Sequence, residues 1–387
     1  MSEPVAHVAL FPSSGMGHLT PFLRLASLLL HHNVRVTLIT TRPTVSLAES
    51  HLLSRFRSFF PQISFLDFHL LPLDPSTANS TDPFWLRFEA TRRSSHLLSP
   101  LLLPLRPHLS ALVLDMSLTS PVIPITRSLS LPTFIFFTSS LRMLSFFSIL
   151  PSADLGGGGD VVEIPGISPF PKSSIPPLLL VRDSLFAKLF FEDSSNLTKL
   201  DGVLVNSFEN LESDSLQAIN GGKLKLPPVF AIGPFTPCEF EKLDSGDSSS
   251  PLKWLDNQPE GSVVYVCFGS KTAMERDRVR EIGEGLLKSK CRFLWVLKDK
   301  IVDREETEET EEVVGFELME ELKKRGMVVK TWVDQREILG HNSKSAGEIR
   351  DAARKAAGDG GGSDGAVQRL IGEWKKVKIM QNVPATV

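Results

Sequence analysis

Only three cysteines stand among the 387 residues, Cys238, Cys267 and Cys291, and they share no spacing used by metal sites or redox pairs. A disulfide framework is therefore excluded, and no metal centre is expected. The odd, sparse count fits a reducing compartment, and Cys267, inside an apolar run, reads as a small core residue. No basic stretch leads into an apolar one at the N-terminus, so a secretory leader is not expected and the localisation reads as cytoplasmic. The sequons at Asn79 and Asn196 then carry no sugar. Long uninterrupted apolar runs are lacking too. The leucine-rich stretch 97–109 is cut by Pro100, Pro104 and Pro107 and cannot span a bilayer. Charge of either sign is not in excess: a formal net charge of −3 gives no reason to expect nucleic acid or an anionic membrane as partner. What is present, 42% hydrophobic and 22% charged residues, belongs to a soluble globular chain with room for two domains.

Along the first half, apolar runs at 7–11, 34–40, 63–70, 112–115 and 133–137 read as strands. Between them, 19–31, 44–56, 85–98 and 121–129 read as helices. Strands separated by helices mean β-α-β units and a parallel sheet covered on both faces. Residues 151–178, rich in Pro, Gly and Ser, read as a surface excursion. Helix and strand signals return at 184–200, 202–206 and 229–232. A Pro/Ser/Asp-rich linker follows at 236–250. A second series then begins: strands at 262–268, 293–297 and 327–330, helices at 275–289 and 316–325. The acidic stretch 303–312 reads as solvated and mobile. After a glycine-rich turn at 358–365, residues 366–376 show a helical apolar stripe at 367, 370, 371 and 374. The division expected is an N-terminal domain over 1–235, a linker over 236–250, a C-terminal domain over 251–345, and a tail with a terminal helix over 346–387. Only one mononucleotide-binding half is visible in the second series. Its apolar first strand should be central, and without the other half it keeps a bare edge.

Three places could carry chemistry. Pro12-Ser-Ser-Gly-Met-Gly-His18 follows the first strand and opens a helix. In a sheet of order 3-2-1-4-5 the first and fourth strands flank the switch point where ligands sit. That topology sets His18 beside Asp115, and a carboxylate against an imidazole makes a better general base. The plainer alternative is that His18 caps a helix and Asp115 begins one. No third glycine stands where a dinucleotide fingerprint needs it, so a nicotinamide oxidoreductase is weakly supported. Phe268-Gly-Ser-Lys-Thr272 is the matching turn of the second series, where Ser270 could help hold a phosphate or simply cap a helix. Trp332 and Gln335 follow its third strand. An indole can stack on a base and an amide can bond a ribose hydroxyl; a buried Trp with a surface Gln is the alternative.

Segments 11–21, 263–271 and 331–341, in that order, resemble the plant family-1 UDP-sugar glycosyltransferases. Asp82-Pro-Phe-Trp-Leu-Arg-Phe-Glu-Ala-Thr-Arg-Arg-Ser94 and Leu112-Val-Leu-Asp-Met-Ser-Leu-Thr-Ser-Pro121 are similar to the branch that attaches glucose to flavonoid carbon atoms. The resemblance covers 5–341, and 347–376 looks like the family's final helix. It implies two Rossmann-like doubly wound domains of GT-B type in an α/β fold, the C-terminal one truncated. It also implies inverting transfer from UDP-glucose, a co-substrate, to a flavonoid-type phenol, with no cofactor, by a monomer. Carried over, His18 matches the general base and Asp115 its orienting acid, and Met116 after Asp115 fits the carbon-transferring branch. Thr138 matches a sugar or phosphate contact and Ser270 a diphosphate contact. Trp332 matches the uracil platform, the backbone of Val333 a uracil hydrogen bond, and Gln335 a ribose contact. Phe84, Trp85, Met143 and Phe147 are the expected acceptor-binding residues.

Two departures stand out. The family has Pro where Asp334 stands. After His341 it continues with a strand ending in His-Cys-Gly-Trp-Asn-Ser, a helix, another strand and a closing acid–Gln pair, and here none of these follows. An internal deletion is the expectation, with weakened donor binding. The alternative is a non-catalytic homologue that binds phenolics or pairs with an intact relative.

Overall fold

The computed structural model describes residues 5–78, 83–152, 160–241, 249–269, 274–297, 310–330, 333, 335–341 and 347–381. The chain divides into two compact units, Met1–Thr236 with Glu348–Val387, and Pro237–Gly347.

The first unit is built on β1 (His7–Phe11), α1 (Met16–His31), β2 (Arg35–Arg42), α2 (Leu47–Phe59), β3 (Ser64–His69), α3 (Pro83–Arg93), α4 (Leu98–Leu102), β4 (Ala111–Asp115), α5 (Thr119–Ser128), β5 (Thr133–Phe137) and α6 (Leu141–Ile149). A short antiparallel hairpin follows, β6 (Val161–Ile164) and β7 (Ile167–Pro171). Next come α7 (Pro177–Leu180), α8 (Leu185–Ser194), β8 (Gly202–Val205), α9 (Ser213–Asn220) and β9 (Val229–Ala231). The main sheet is parallel, with order β3-β2-β1-β4-β5-β8-β9. Every residue of β1, β4 and β5 is buried, which is why these runs are apolar without alternation. Strand order reverses between β1 and β4. In the pairing of these strands Phe11 lies opposite Leu114, so the loop after Phe11 and the side chain of Asp115 leave the sheet at the same end.

Local signals set the helix starts. Ser46 accepts a hydrogen bond from the Glu49 N–H at 3.2 Å and fixes the start of α2, so the helix begins at Leu47 rather than at 44. Ser140 does the same for α6 through the Met143 N–H. The expected surface excursion contains the β6–β7 hairpin, in which Val162 and Ile164 point inward between exposed Val161 and Glu163.

The chain's end returns to the first unit instead of forming a separate tail. An additional helix, α15 (Gly347–Ala357), precedes α16 (Gly362–Gln381), to which the apolar stripe belongs. Val367, Leu370, Ile371 and Trp374 are all buried. The Trp374 ring stands edge-on to Phe134 at 5.7 Å, Gln368 bonds His32, and the Ser363 hydroxyl donates to the Gly233 carbonyl. Trp374 is 0% exposed. Trp374→Ala should therefore cost about 3–5 kcal/mol, the usual range for emptying an aromatic core site. Urea denaturation of wild type and variant checks it; an unchanged midpoint would mean that α16 adds nothing to this unit.

The second unit holds α10 (Ser249–Asp256), β10 (Val263–Cys267), α11 (Arg276–Ser289), β11 (Arg292–Val296), α12 (Thr310–Val314), α13 (Phe316–Lys323), β12 (Gly326–Val329) and α14 (Gln335–Gly340). Among the described residues its sheet is parallel, in order β10-β11-β12. The apolar β10, expected at the centre, lies at the edge of that sheet, and Val264 and Phe268 are 44% and 45% exposed. Of the acidic stretch, 303–309 lie outside the described residues. Thr310 to Glu312 begin α12, whose Val313 and Val314 are buried against the core of this unit.

Candidate active site

His18 lies in the first turn of α1. Gly15, at φ 100°, turns the chain from strand to helix, and its carbonyl accepts from the N–H groups of His18 and Leu19 at 2.9 Å each. The Glu49 carboxylate, brought by α2, accepts from the Gly15 and Val45 N–H groups and ties this loop to the neighbouring helix.

Asp115 ends β4 with its side chain fully buried. Its Oδ2 lies 2.7 Å from His18 Nδ1, and the imidazole is 24% exposed. Oδ1 accepts from Ser117 twice, from N–H at 3.0 Å and from Oγ at 2.7 Å. Burial pushes the Asp115 carboxyl up, but the imidazole beside it and the two Ser117 donors outweigh this and hold it below the usual carboxylate range. The carboxylate is thus an ionised acceptor with both oxygens engaged. It fixes Nδ1 as the donor and Nε2 as the ring nitrogen able to take a proton. His18 and Asp115, named from topology, are brought together; His18 also stands in the first turn of α1 and Asp115 caps the turn after β4, as the plainer alternative has it.

Aromatic rings continue from the imidazole. Phe88 of α3 stands edge-on to His18 at 5.4 Å and packs on Trp85 at 5.5 Å. Trp85 meets Phe186 at 4.8 Å, and Phe186 meets Phe190 at 4.4 Å. Trp85, Phe186 and Phe190 are half-buried. Met143 is half-buried on α6. Phe147 is a correction: it is fully buried, packed between Phe137 and Phe190, so it supports this wall from behind and presents no surface of its own. Phe84 lies within α3, and its side chain is outside the described residues. Thr138 is half-buried just after β5.

In the second unit Ser270 and Trp332 lie outside the described residues. Val333 is buried against Leu255, Leu294 and Ile338. Gln335 opens α14, and its Nε2 lies 3.5 Å from Cys267 Sγ at the carboxyl end of β10. Cys267 is therefore half-buried at the strand's end beside Gln335, not a core residue. Among the described residues no cluster of three or more His, Cys, Asp or Glu side chains could hold a metal, and no helix is long and apolar enough to cross a membrane.

Sequence reasoning missed the groups around the pair. Ser117 is readable as an Asx turn, two residues after Asp115. Arg92 and Asp193 are not readable, being 101 positions apart. Arg92 Nη1 donates to the Ser117 carbonyl at 2.6 Å and to both oxygens of Asp193 at 2.8 and 2.9 Å. Burial raises the Asp193 carboxyl to about 6 against the pull of Arg92 and the Ser120 N–H. A raised carboxyl holds its proton in the folded state after the unfolded chain has released it. Its contribution to stability is therefore full below 3.8 and declines as pH rises to about 6. Thermal melts of wild type and Asp193→Asn should show the wild-type advantage shrinking over that interval; a difference independent of pH would contradict this.

No family model matches the chain. UDP-glycosyltransferase 708G2 of Citrus unshiu is 54% identical over 348 residues, covering 87% of this chain and 73% of that protein. The chain belongs to the plant UDP-glycosyltransferases. The glycosyltransferase is also 50% identical over 361 residues to UDP-glycosyltransferase 708D1 of Glycine max, covering 88% of this chain and 75% of that one. To UDP-glycosyltransferase CGT of Oryza sativa subsp. japonica it is 46% identical over 345 residues, 87% and 72% of the two chains. The solved structure of LpCGTa with UDP superposes with a TM-score of 0.81 at 33% identity, covering 96% of this chain and 99% of that one. Medicago truncatula UGT71G1 with UDP-glucose gives 0.77 at 23% identity over 96% and 98%, a likeness of fold, GT-B, alone.

Proposed function

We propose that this glycosyltransferase moves glucose from UDP-glucose to a flavonoid-type phenol, joining it to a ring carbon, and that its donor site works at a deficit. The observation that carries the reading is the 2.7 Å bond between His18 Nδ1 and the buried Asp115 carboxylate. Nε2 takes the phenolic proton. The phenolate delocalises charge onto its ortho carbon, which attacks the anomeric carbon from the face opposite UDP. The C–O bond to UDP breaks, the diphosphate leaves with the electron pair, and loss of the ring proton to solvent restores aromaticity. Asp115 stays ionised and stabilises the imidazolium. Trp85, Phe186 and Phe190 supply flat apolar surface suited to a polyphenol, and by the resemblance Met143 and Phe84 are further acceptor contacts. By the resemblance, Ser270, Trp332, the Val333 backbone and Gln335 are donor contacts of the second unit, and Thr138 is a sugar or phosphate contact of the first. A Rosa hybrid anthocyanidin 5,3-O-glucosyltransferase at 33% identity over 359 residues, 87% of this chain and 75% of that one, supports a flavonoid acceptor. The rice relative named CGT supports carbon attachment.

The deficit rests on the sequence after His341, which leaves the family signature. Incubating the purified chain with UDP-glucose and a phloretin-type acceptor, with product mass and acceptor affinity both recorded, tests the whole reading. Slow hexose addition that climbs with donor concentration to millimolar levels is expected. Normal turnover at micromolar donor would overturn the deficit. Acceptor binding with no product at any donor concentration would leave a non-catalytic binder of phenolics.

A further inference from the structure

We infer that Arg92, held by Asp193, is a positioning residue for the catalytic carboxylate. The inference rests on the reading of His18 and Asp115 as base and orienting acid. Asp115 is aimed at His18 by Ser117, which binds Oδ1 through both N–H and Oγ. Ser117 sits in the single 3₁₀ turn Met116–Leu118 between β4 and α5, closed by the Thr119 N–H to the Met116 carbonyl. Arg92 reaches from α3 and donates to the Ser117 carbonyl at 2.6 Å. Asp193 reaches from α8, takes Nη1 of the same guanidinium through both oxygens, and accepts from the Ser120 N–H at 2.7 Å, capping the start of α5. Arg92 Nη2 also meets Glu192 at 2.6 Å. Both ends of the 117–120 turn are thus tied to one buried ion pair, with Arg92 and Asp193 side chains 7% and 2% exposed.

Charge on this pair is a poor source of stability. Burial raises Asp193 to about 6 even with the guanidinium beside it, and buried ion pairs can often be exchanged for apolar side chains at little loss. What such exchange does lose is direction. Methionine and leucine can fill the volume but cannot hold the Ser117 carbonyl. The turn then moves, Oδ1 loses its two donors, and Oδ2 no longer meets Nδ1 squarely. Arg92 bonds Ser117, Asp193 and Glu192, and it acts on the carboxylate through Ser117.

The test uses the full chain and a readout separate from turnover. A His Nδ1 proton held by a carboxylate gives a far-downfield proton resonance. Wild type should show it, and Asp115→Asn should lose it. The double variant R92M/D193L should melt at or above the wild-type temperature yet lose or broaden the resonance. Should that variant fail to fold, Arg92→Lys carries the same test, because lysine is one atom shorter and its ammonium, drawn to Asp193, falls short of the place from which Nη1 reaches the Ser117 carbonyl. Where turnover is measurable, kcat should fall about tenfold or more with KM for the acceptor little changed, as for a group acting only on the reacting state. A folded R92M/D193L or Arg92→Lys protein with the wild-type resonance intact would overturn the inference. A wild-type protein without the resonance would overturn it together with the His18–Asp115 reading, whereas loss in Asp115→Asn alone would leave that reading standing.

Discussion

His18→Ala should lower kcat/KM for a phenolic acceptor about 10²–10⁴-fold, the usual effect of removing a general base, while acceptor affinity changes little. The imidazole is one-quarter exposed, at 24%, so its removal empties no core site and the protein should fold. Phe88 and Trp85 still pack on each other without it and still offer a surface to the acceptor. Activity should return in part when a small imidazole is added at high concentration, since the place vacated lies beside an ionised Asp115 able to orient it. Retained acceptor binding with lost turnover separates this from a general collapse of the fold. Turnover near the wild-type rate would assign the proton to some other group.

Supplying the donor signature that the proposed deficit lacks should have the second large effect. Inserting after His341 a strand, helix and strand with the family's His-Cys-Gly-Trp-Asn-Ser signature and closing acid–Gln pair supplies several charge-assisted bonds to the nucleotide sugar. Three such bonds at about 1.5–3 kcal/mol each amount to roughly 10³-fold or more in UDP affinity. The same insertion offers β10 a second neighbour, and the 44% and 45% exposure of Val264 and Phe268 should fall. Calorimetric titration with UDP measures the first effect, and hydrogen exchange along 263–267 the second. Equal UDP affinity with and without the insertion would show that the chain as it stands already holds its donor.

The positions of His18 and Asp115 were legible because topology fixes them: fully apolar runs mark buried parallel strands, and a sheet that reverses order between β1 and β4 places the residues after both at one end. The stripe at 367, 370, 371 and 374 marked a buried helical face. Its docking partner, Phe134 of β5, lies 240 positions away in sequence and could not be read from periodicity. The same limit hid Arg92 and Asp193, whose pairing depends on how α3 and α8 pack over the end of β4. Phe147 misled because an apolar residue on an amphipathic helix can face a ligand or the core, and periodicity does not distinguish them. Helix α15 was readable in principle: 347–357 is rich in Ala, Arg, Lys and Glu, all strong helix formers.

The most direct measurement is product analysis for wild type and Asp115→Asn side by side, at saturating UDP-glucose and with a phloretin-type acceptor. Asparagine keeps the volume of the buried side chain but cannot stabilise an imidazolium. Wild type should yield a hexose adduct that survives acid hydrolysis, as a carbon–carbon bond does, and Asp115→Asn should form it at least about 10²-fold more slowly. Equal rates for the two proteins would contradict a base formed by His18 and Asp115.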